Sequence, residues 1–268
     1  MRVLDCHSHA FPDAVAPSAV RALVHGARTH EVAAFHDGTL SGLLDAMDRA
    51  GIERTLLYSV ATKPSQVRKI TDWSAAIAGD RVIPFASVHP DYEAPEQEVE
   101  RVRALGLKGL KFHPQYMGCA PDDPRCVRIA RAAAAHGLAM TFHAGHDPAF
   151  QPTDIASPRR FRALHEAVPD LRFVACHLGG WREWDEVVEL LVGQDIYLDT
   201  SYSLADCPAP LLERILSRHP STRLLFGTDS PWADSAVEVR RFRALPLSPD
   251  AMRAALWENG HRFAGLEP

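Results

Sequence analysis

The chain has 268 residues, 46% hydrophobic and 24% charged, which supplies enough apolar side chain for a large buried core and excludes wholesale disorder. Lys and Arg number 29 against 34 Asp and Glu, a formal charge of −5, so the basic surface that neutralises phosphates is missing and nucleic acid is not expected as a partner. No apolar run reaches membrane-spanning length, and the amino terminus meets Asp5 and His7 before a signal-peptide stretch could form, so a cytoplasmic protein with no membrane partner is expected.

Eight short β-rich runs follow in chain order: Val3–His9, Thr55–Ser59, Val82–His89, Leu107–His113, Leu138–His143, Leu171–His177, Ile196–Thr200 and Leu224–Asp229. Each ends in a polar residue. Their last residues lie 50 positions apart at the first step and 23 to 34 thereafter, the span of a strand, a helix and two loops. Helical periodicity fills the spaces, as in Leu40, Leu43, Leu44 and Met47 or Leu211, Leu212, Ile215 and Leu216. Near-continuous apolar strands alternating with helices predict a parallel sheet covered on its outer face, and eight units predict a closed (β/α)8 TIM barrel, one domain over residues 1–268. An open doubly wound sheet is the alternative, but no glycine-rich phosphate loop follows the first strand.

The long first step places an insertion after strand one, from Ala10 to Gly38, with Thr39 as N-cap of the next helix. It carries His25, His30 and His36 and is either a lid over the barrel mouth or a surface decoration. At the other end, Ser248 to Leu266 predicts one more helix closing the bottom or side. The cysteines at 6, 119, 126, 176 and 207 are odd in number and form no CxxC pair, so reduced structural thiols are expected.

His7 and His9, two residues apart, point to one side of their strand, and two converging imidazoles offer two lone pairs to a divalent cation. Alone this HxH is a weak signal. His143, His177 and Asp229 add three more such groups at equivalent strand ends, on the face where (β/α)8 enzymes build their sites. Buried imidazoles and carboxylates need hydrogen bonds or a cation, and five at matching positions favour the cation.

These segments, with Gly109-Leu110-Lys111-Phe112-His113-Pro114, His177-Leu178-Gly179-Gly180, Thr228-Asp229-Ser230-Pro231 and Asn259-Gly260-His261-Arg262-Phe263, resemble the amidohydrolase superfamily. The similarity is to its amidohydrolase 2 branch, which includes aminocarboxymuconate-semialdehyde decarboxylase, and it runs nearly from end to end. It implies that His7, His9, His143 and Asp229 bind one divalent metal, most often zinc, with His177 as the nearby acid or base. Three imidazoles and a carboxylate suit such an ion, and they also accommodate manganese or iron. Asp229 is both a ligand and a catalytic proton acceptor in this scheme, and Asp5 is an outer partner of a ligand histidine or a structural residue.

Lys111 and His113 end strand four where other superfamily members carry a carboxylated lysine bridging two metals. An unmodified Lys111 that binds an anionic substrate or pairs with an acid is preferred, because an ammonium has no lone pair to coordinate; both residues are substrate-binding candidates. His89 is expected to cap the turn at Pro90. Trp181, Trp184 and Trp232 are either an aromatic wall at the mouth or packing on outer helices, and Ser201 and Tyr202 offer hydrogen bonds.

The leading expectation is metal-assisted hydrolysis of an amide, lactone or similar carbonyl in a small molecule. Metal-dependent decarboxylation of an aromatic or unsaturated acid is the rival. A phosphoesterase is weaker because the Thr-Asp-Ser-Pro end of strand eight fits it poorly, the TatD-like nuclease type that shares HxH because no glutamate ends strand four, and a catalytically silent barrel because a mere pocket needs neither base nor metal carboxylate. The sequence leaves a homo-oligomer open.

Overall fold

The computed structural model describes residues 1–268. Its eight strands are β1 (Leu4–Ser8), β2 (Arg54–Tyr58), β3 (Val82–Phe85), β4 (Gly109–Phe112), β5 (Ala139–Phe142), β6 (Phe173–Ala175), β7 (Tyr197–Asp199) and β8 (Leu224–Leu225). All are parallel, in the ladders β1-β2-β3 and β4-β5-β6-β7-β8. Two seams join the ladders. Ala86 N donates to Gly109 O at 3.0 Å and Lys111 N to Ala86 O at 2.7 Å, while Cys6 N donates to Phe226 O at 2.8 Å and Asp229 N to His7 O at 2.8 Å. These bonds complete a (β/α)8 barrel of the predicted order. Each strand ends before its apolar run does because the last residues leave the ladder and turn into loops, which puts His113, His143, His177 and Asp229 just beyond the strand ends.

The helices are α1 (Ala16–Gly26) and α2 (Leu40–Ala50) after β1, then α3 (Val67–Ile77), α4 (Pro95–Ala104), α5 (Pro114–Met117), α6 (Pro124–Ala135), α7 (Pro158–Ala167), α8 (Trp184–Leu190), α9 (Ala209–Arg218), α10 (Ser235–Arg243), α11 (Pro249–Arg253) and α12 (Asn259–Ala264). Thr39 caps α2 as expected, accepting from Gly42 N at 3.0 Å, and α2 buries Leu43 and Met47 against the barrel. The insertion is longer than a plain loop and contains α1. No helix is long and apolar enough to cross a membrane.

Strand alternation divides the core in two. In β5, Met140 and Phe142 face outward into the layer beneath the helices, whereas Ala139 joins the inner cluster with Leu56, Phe85, Val174 and Leu225. Alternation alone would put Cys6 and His7 on opposite faces of β1. A bulge overrides it: Asp5 to Ser8 spans three steps opposite the two from Thr55 to Leu57. Cys6 therefore packs in the inner cluster and the His7 ring lies 5.1 Å from Tyr58, another inner residue.

The carboxyl-terminal helical segment closes the amino-terminal end of the barrel. Phe263 lies 5.1 Å from Tyr197 of β7 and 6.1 Å from Phe85 of β3, strands half a turn apart, which only a residue near the barrel axis can do. Gly260 permits this approach, since a Cβ there would stand 2.5 Å from Cys6 Sγ and 2.7 Å from Leu4 Cδ2.

Candidate metal centre

A cavity of about 210 Å³ opens at the carboxyl end of the strands. His7, His9, Lys111, His143, His177 and Asp229 line its polar part; Phe11, Val32, Tyr116, Trp181, Tyr202 and Trp232 line its apolar part. Phe11, Leu23, Ala27 and Val32 come from the insertion, so that segment covers the mouth. Arg28 N donates to Pro148 O at 2.7 Å and Phe35 N to Pro231 O at 2.8 Å, which ties it to the loops after β5 and β8. His30 stands edge-on to Trp181 at 5.2 Å and His36 reaches Ser230 Oγ at 3.1 Å, whereas His25 stays on its own helix. Trp184 is packed away from the cavity and donates its indole N–H to the His177 carbonyl at 3.1 Å.

His9 Nδ1 lies 2.9 Å from the Tyr58 carbonyl oxygen. A carbonyl only accepts, so Nδ1 carries a proton and Nε2 faces Asp229 Oδ1, 3.1 Å away. His7 Nε2 is 3.3 Å from the same oxygen. Two imidazole nitrogens and a carboxylate oxygen converge here, a donor set that fits a divalent cation. Burial, and then the charge of Lys111, push His7 down to about 3, keeping it neutral. Burial pushes the Asp229 carboxyl up, but His7, His9 and His177 around it prevail and hold it below the ordinary carboxylate range.

His143 borders the same cavity but stands apart from that triad. Its Nε2 donates to the His146 carbonyl at 3.0 Å, its Nδ1 lies 3.0 Å from His177 Nε2, and its ring stacks on His113 at 4.2 Å. His113 in turn pairs with Asp147 at 3.2 Å. Lys111 is 1% exposed, its Nζ 3.2 Å from His7 Nε2 and 4.9 Å from the centre of the Tyr58 ring, and it forms no ion pair with a carboxylate.

Asp5 takes the structural one of its two expected roles. It touches no ligand ring; its carboxylate accepts from Thr228 N, Thr228 Oγ1 and His7 N at 2.9, 2.6 and 3.0 Å, stitching β1 to the turn after β8. Burial raises it to about 7. The ring partner of His7 is Asp199, at 2.9 Å. His89 Nδ1 accepts from Asp91 N at 3.1 Å, the turn cap expected at Pro90. All five cysteines are free and buried.

His177 and Asp229 occupy the left-handed region, at φ of 59° and 70°, as do Leu178 and Tyr202. Non-glycine residues at such angles cost about 1–3 kcal/mol each, so the surrounding packing enforces these turns.

An amidohydrolase family profile matches residues 4–266. The chain belongs to the amidohydrolase family. No curated protein matches it by sequence. Among solved structures, this amidohydrolase is similar to the uncharacterised TIM-barrel protein Bb4693 from Bordetella bronchiseptica, at 19% identity over 99% of this chain and 100% of that one, with a TM-score of 0.77. It is also similar to 5-carboxyvanillate decarboxylase LigW from Sphingomonas paucimobilis, at 17% identity over 99% of both chains and a TM-score of 0.73. A dihydroxybenzoic acid decarboxylase from Polaromonas sp. JS666, solved with bound manganese and 2-nitroresorcinol, matches at 16% identity over 98% of this chain and 97% of that one, TM-score 0.70.

Three polar groups of this amidohydrolase escaped the sequence reading. Asp199 carried a usable signal, an acid one position before the end of an apolar run. His146 and Asp147 lie in a loop without periodicity, where only the fold brings Asp147 to His113 and His146 to Glu183, at 3.2 Å each.

Proposed function

We propose that the chain is a metal-dependent decarboxylase, a carbon–carbon lyase, acting on a small aromatic or unsaturated carboxylic acid. The observation that carries this is Lys111: a buried ammonium beside the metal-donor set with no carboxylate partner in the protein. An uncompensated buried cation is costly, and a substrate carboxylate would neutralise it. The 210 Å³ cavity has room for a single ring with its substituents, below the usual range of about 300–1,000 Å³ for ligand pockets. Solved decarboxylases of aromatic acids with the same fold support the reading.

In this reading residues 1–268 act as one barrel domain, and the five buried thiols fit a reducing, cytoplasmic setting. His7, His9 and Asp229 hold one divalent ion, with His143 as the fourth candidate ligand; zinc, manganese and iron all suit such donors. When bound, the ion supplies Lewis-acid polarisation of a substrate oxygen. Lys111 and His113 bind the acid, and Trp181 and Tyr202 flank the ring. His177, protonated on Nε2, gives that proton to the carbon that loses CO2; the breaking C–C bond leaves its electron pair on that carbon.

Hydrolysis remains a second reading because Asp229 engages only Oδ1 in the protein, so its other oxygen is available to take a proton from water. Zinc- or manganese-loaded protein assayed against hydroxybenzoates, unsaturated acids, amides and lactones separates the two. We expect CO2 release that chelation abolishes and that Lys111→Met lowers at least 100-fold, the scale of a catalytic electrostatic contact, about 10²–10³-fold. Opening of an amide or lactone with no CO2 from any acid would replace this reading with hydrolysis.

A further inference from the structure

We propose that Asp199 is a positioning residue that holds the Nδ1–H of both His7 and His177 and thereby turns the Nε2 lone pair of His7 into the cavity and Nε2 of His177 towards His143. Asp199 ends β7 and has no exposed surface. Its Oδ2 accepts from His7 Nδ1 at 2.9 Å. Its Oδ1 accepts from His177 N at 2.9 Å, Ser201 N at 3.1 Å and the Ser201 hydroxyl at 2.5 Å. A hydroxyl has one proton, and with that proton on Asp199 the Ser201 oxygen can only accept. This oxygen lies 2.9 Å from His7 Nδ1 and 3.0 Å from His177 Nδ1. The Ser201 carbonyl, 3.0 Å from His177 Nδ1, is another obligatory acceptor.

Every hydrogen-bonding partner of the two Nδ1 atoms is therefore an acceptor, and both must carry a proton. One carboxylate fixes the Nδ1 proton of His7 directly and that of His177 through Ser201. It also anchors the backbone N–H of His177, whose φ of 59° needs such support. Metal-ligating imidazoles rely on an outer acceptor of this kind, whose loss costs about 10–100-fold in metal affinity. The consequence for metal binding rests on the proposed role of His7; the tautomer does not.

Asp199→Asn isolates the effect. The amide oxygen can stay with the three donors now on Oδ1, but the NH2 then faces His7 Nδ1, which must become an acceptor and move its proton to Nε2. Long-range ¹H–¹⁵N spectra of metal-free, ¹⁵N-histidine-labelled protein read this directly, with the His7 signals identified by their loss in His7→Gln. We expect Nδ1–H at His7 in the wild type and Nε2–H in Asp199→Asn. Zinc affinity measured against a chromophoric chelator falls about 10–100-fold with the urea midpoint retained, and Ser201→Ala, which keeps the Asp199–His7 bond, leaves zinc affinity unchanged. An Nε2–H or doubly protonated His7 in the wild type overturns the proposal, and that measurement decides it even if Asp199→Asn does not fold. Unchanged zinc affinity in a folded Asp199→Asn overturns it as well. A wild type that binds no zinc or manganese overturns the metal reading of the site, while the tautomer spectrum still decides the role of Asp199.

Discussion

At the amino-terminal end of the barrel the inward positions hold Leu4, Leu56, Ile83, Phe85, Val174, Tyr197 and Leu225, sealed by Phe263; at the carboxyl end the barrel turns in His7, Lys111, His143, His177, Asp199 and Asp229. The lower layer needs only shape and gains free energy in proportion to the apolar area it hides. The upper layer is directional, and its donors and acceptors must match one by one or leave a buried group unpaired. It also contains the left-handed turns at His177 and Asp229. The comparison teaches a division of labour: the lower layer supplies the stability that lets the upper layer keep strained, charged groups in fixed positions.

The largest expected effect tests the upper layer. His177→Asn lowers turnover by about 10²–10⁴-fold, the range for a lost general acid, while the urea midpoint changes little. A fall in stability as large as that of a core truncation, with kcat preserved, would break the division. Phe263→Ala tests the lower layer. Removing the axial ring costs about 3–5 kcal/mol in urea unfolding, with zinc affinity of the folded variant unchanged. Loss of zinc affinity in that folded variant would show that the two layers are not separable.

The smallest effect sharpens the rim. Burial raises Glu183 to about 7, and its Oε2 has no hydrogen-bond partner. With a folded value above its ordinary one, Glu183 gives its full stabilising contribution below about 4.5 and loses it as the pH rises through about 7. Glu183→Gln does not titrate, so it gains on the wild type with rising pH, by about 1 kcal/mol at pH 8 after allowing for solvent screening, and loses that advantage near pH 4. A pH-independent difference in urea midpoints would refute the assignment.

The strands and the polar residues that end them were legible because a buried parallel strand needs an unbroken apolar run, and an acid or imidazole closing such a run stands out. Thr39 and the helix after it were legible for the same local reason, a cap followed by a periodic face. The Asp5 carboxylate was left open between a ligand partner and a structural role; it holds backbone, because its neighbours Thr228 and His7 are set by the closure of β8 onto β1. His143 was grouped with His7, His9 and Asp229 and lines the same cavity, but its ring orientation is set by the His146 carbonyl from the loop after β5.

Composition and periodicity, which are local, determined eight strand–helix units, a barrel and the strand ends at which chemistry is gathered. Which lone pair faces which proton was decided only by the tertiary structure: the bulge in β1 that turns His7 inward, the insertion that covers the mouth, and Asp199 brought to His7 from 192 residues away. Hydrogen bonds act over about 3 Å, and no spacing along a chain encodes a distance of that size between segments that meet only once the barrel closes.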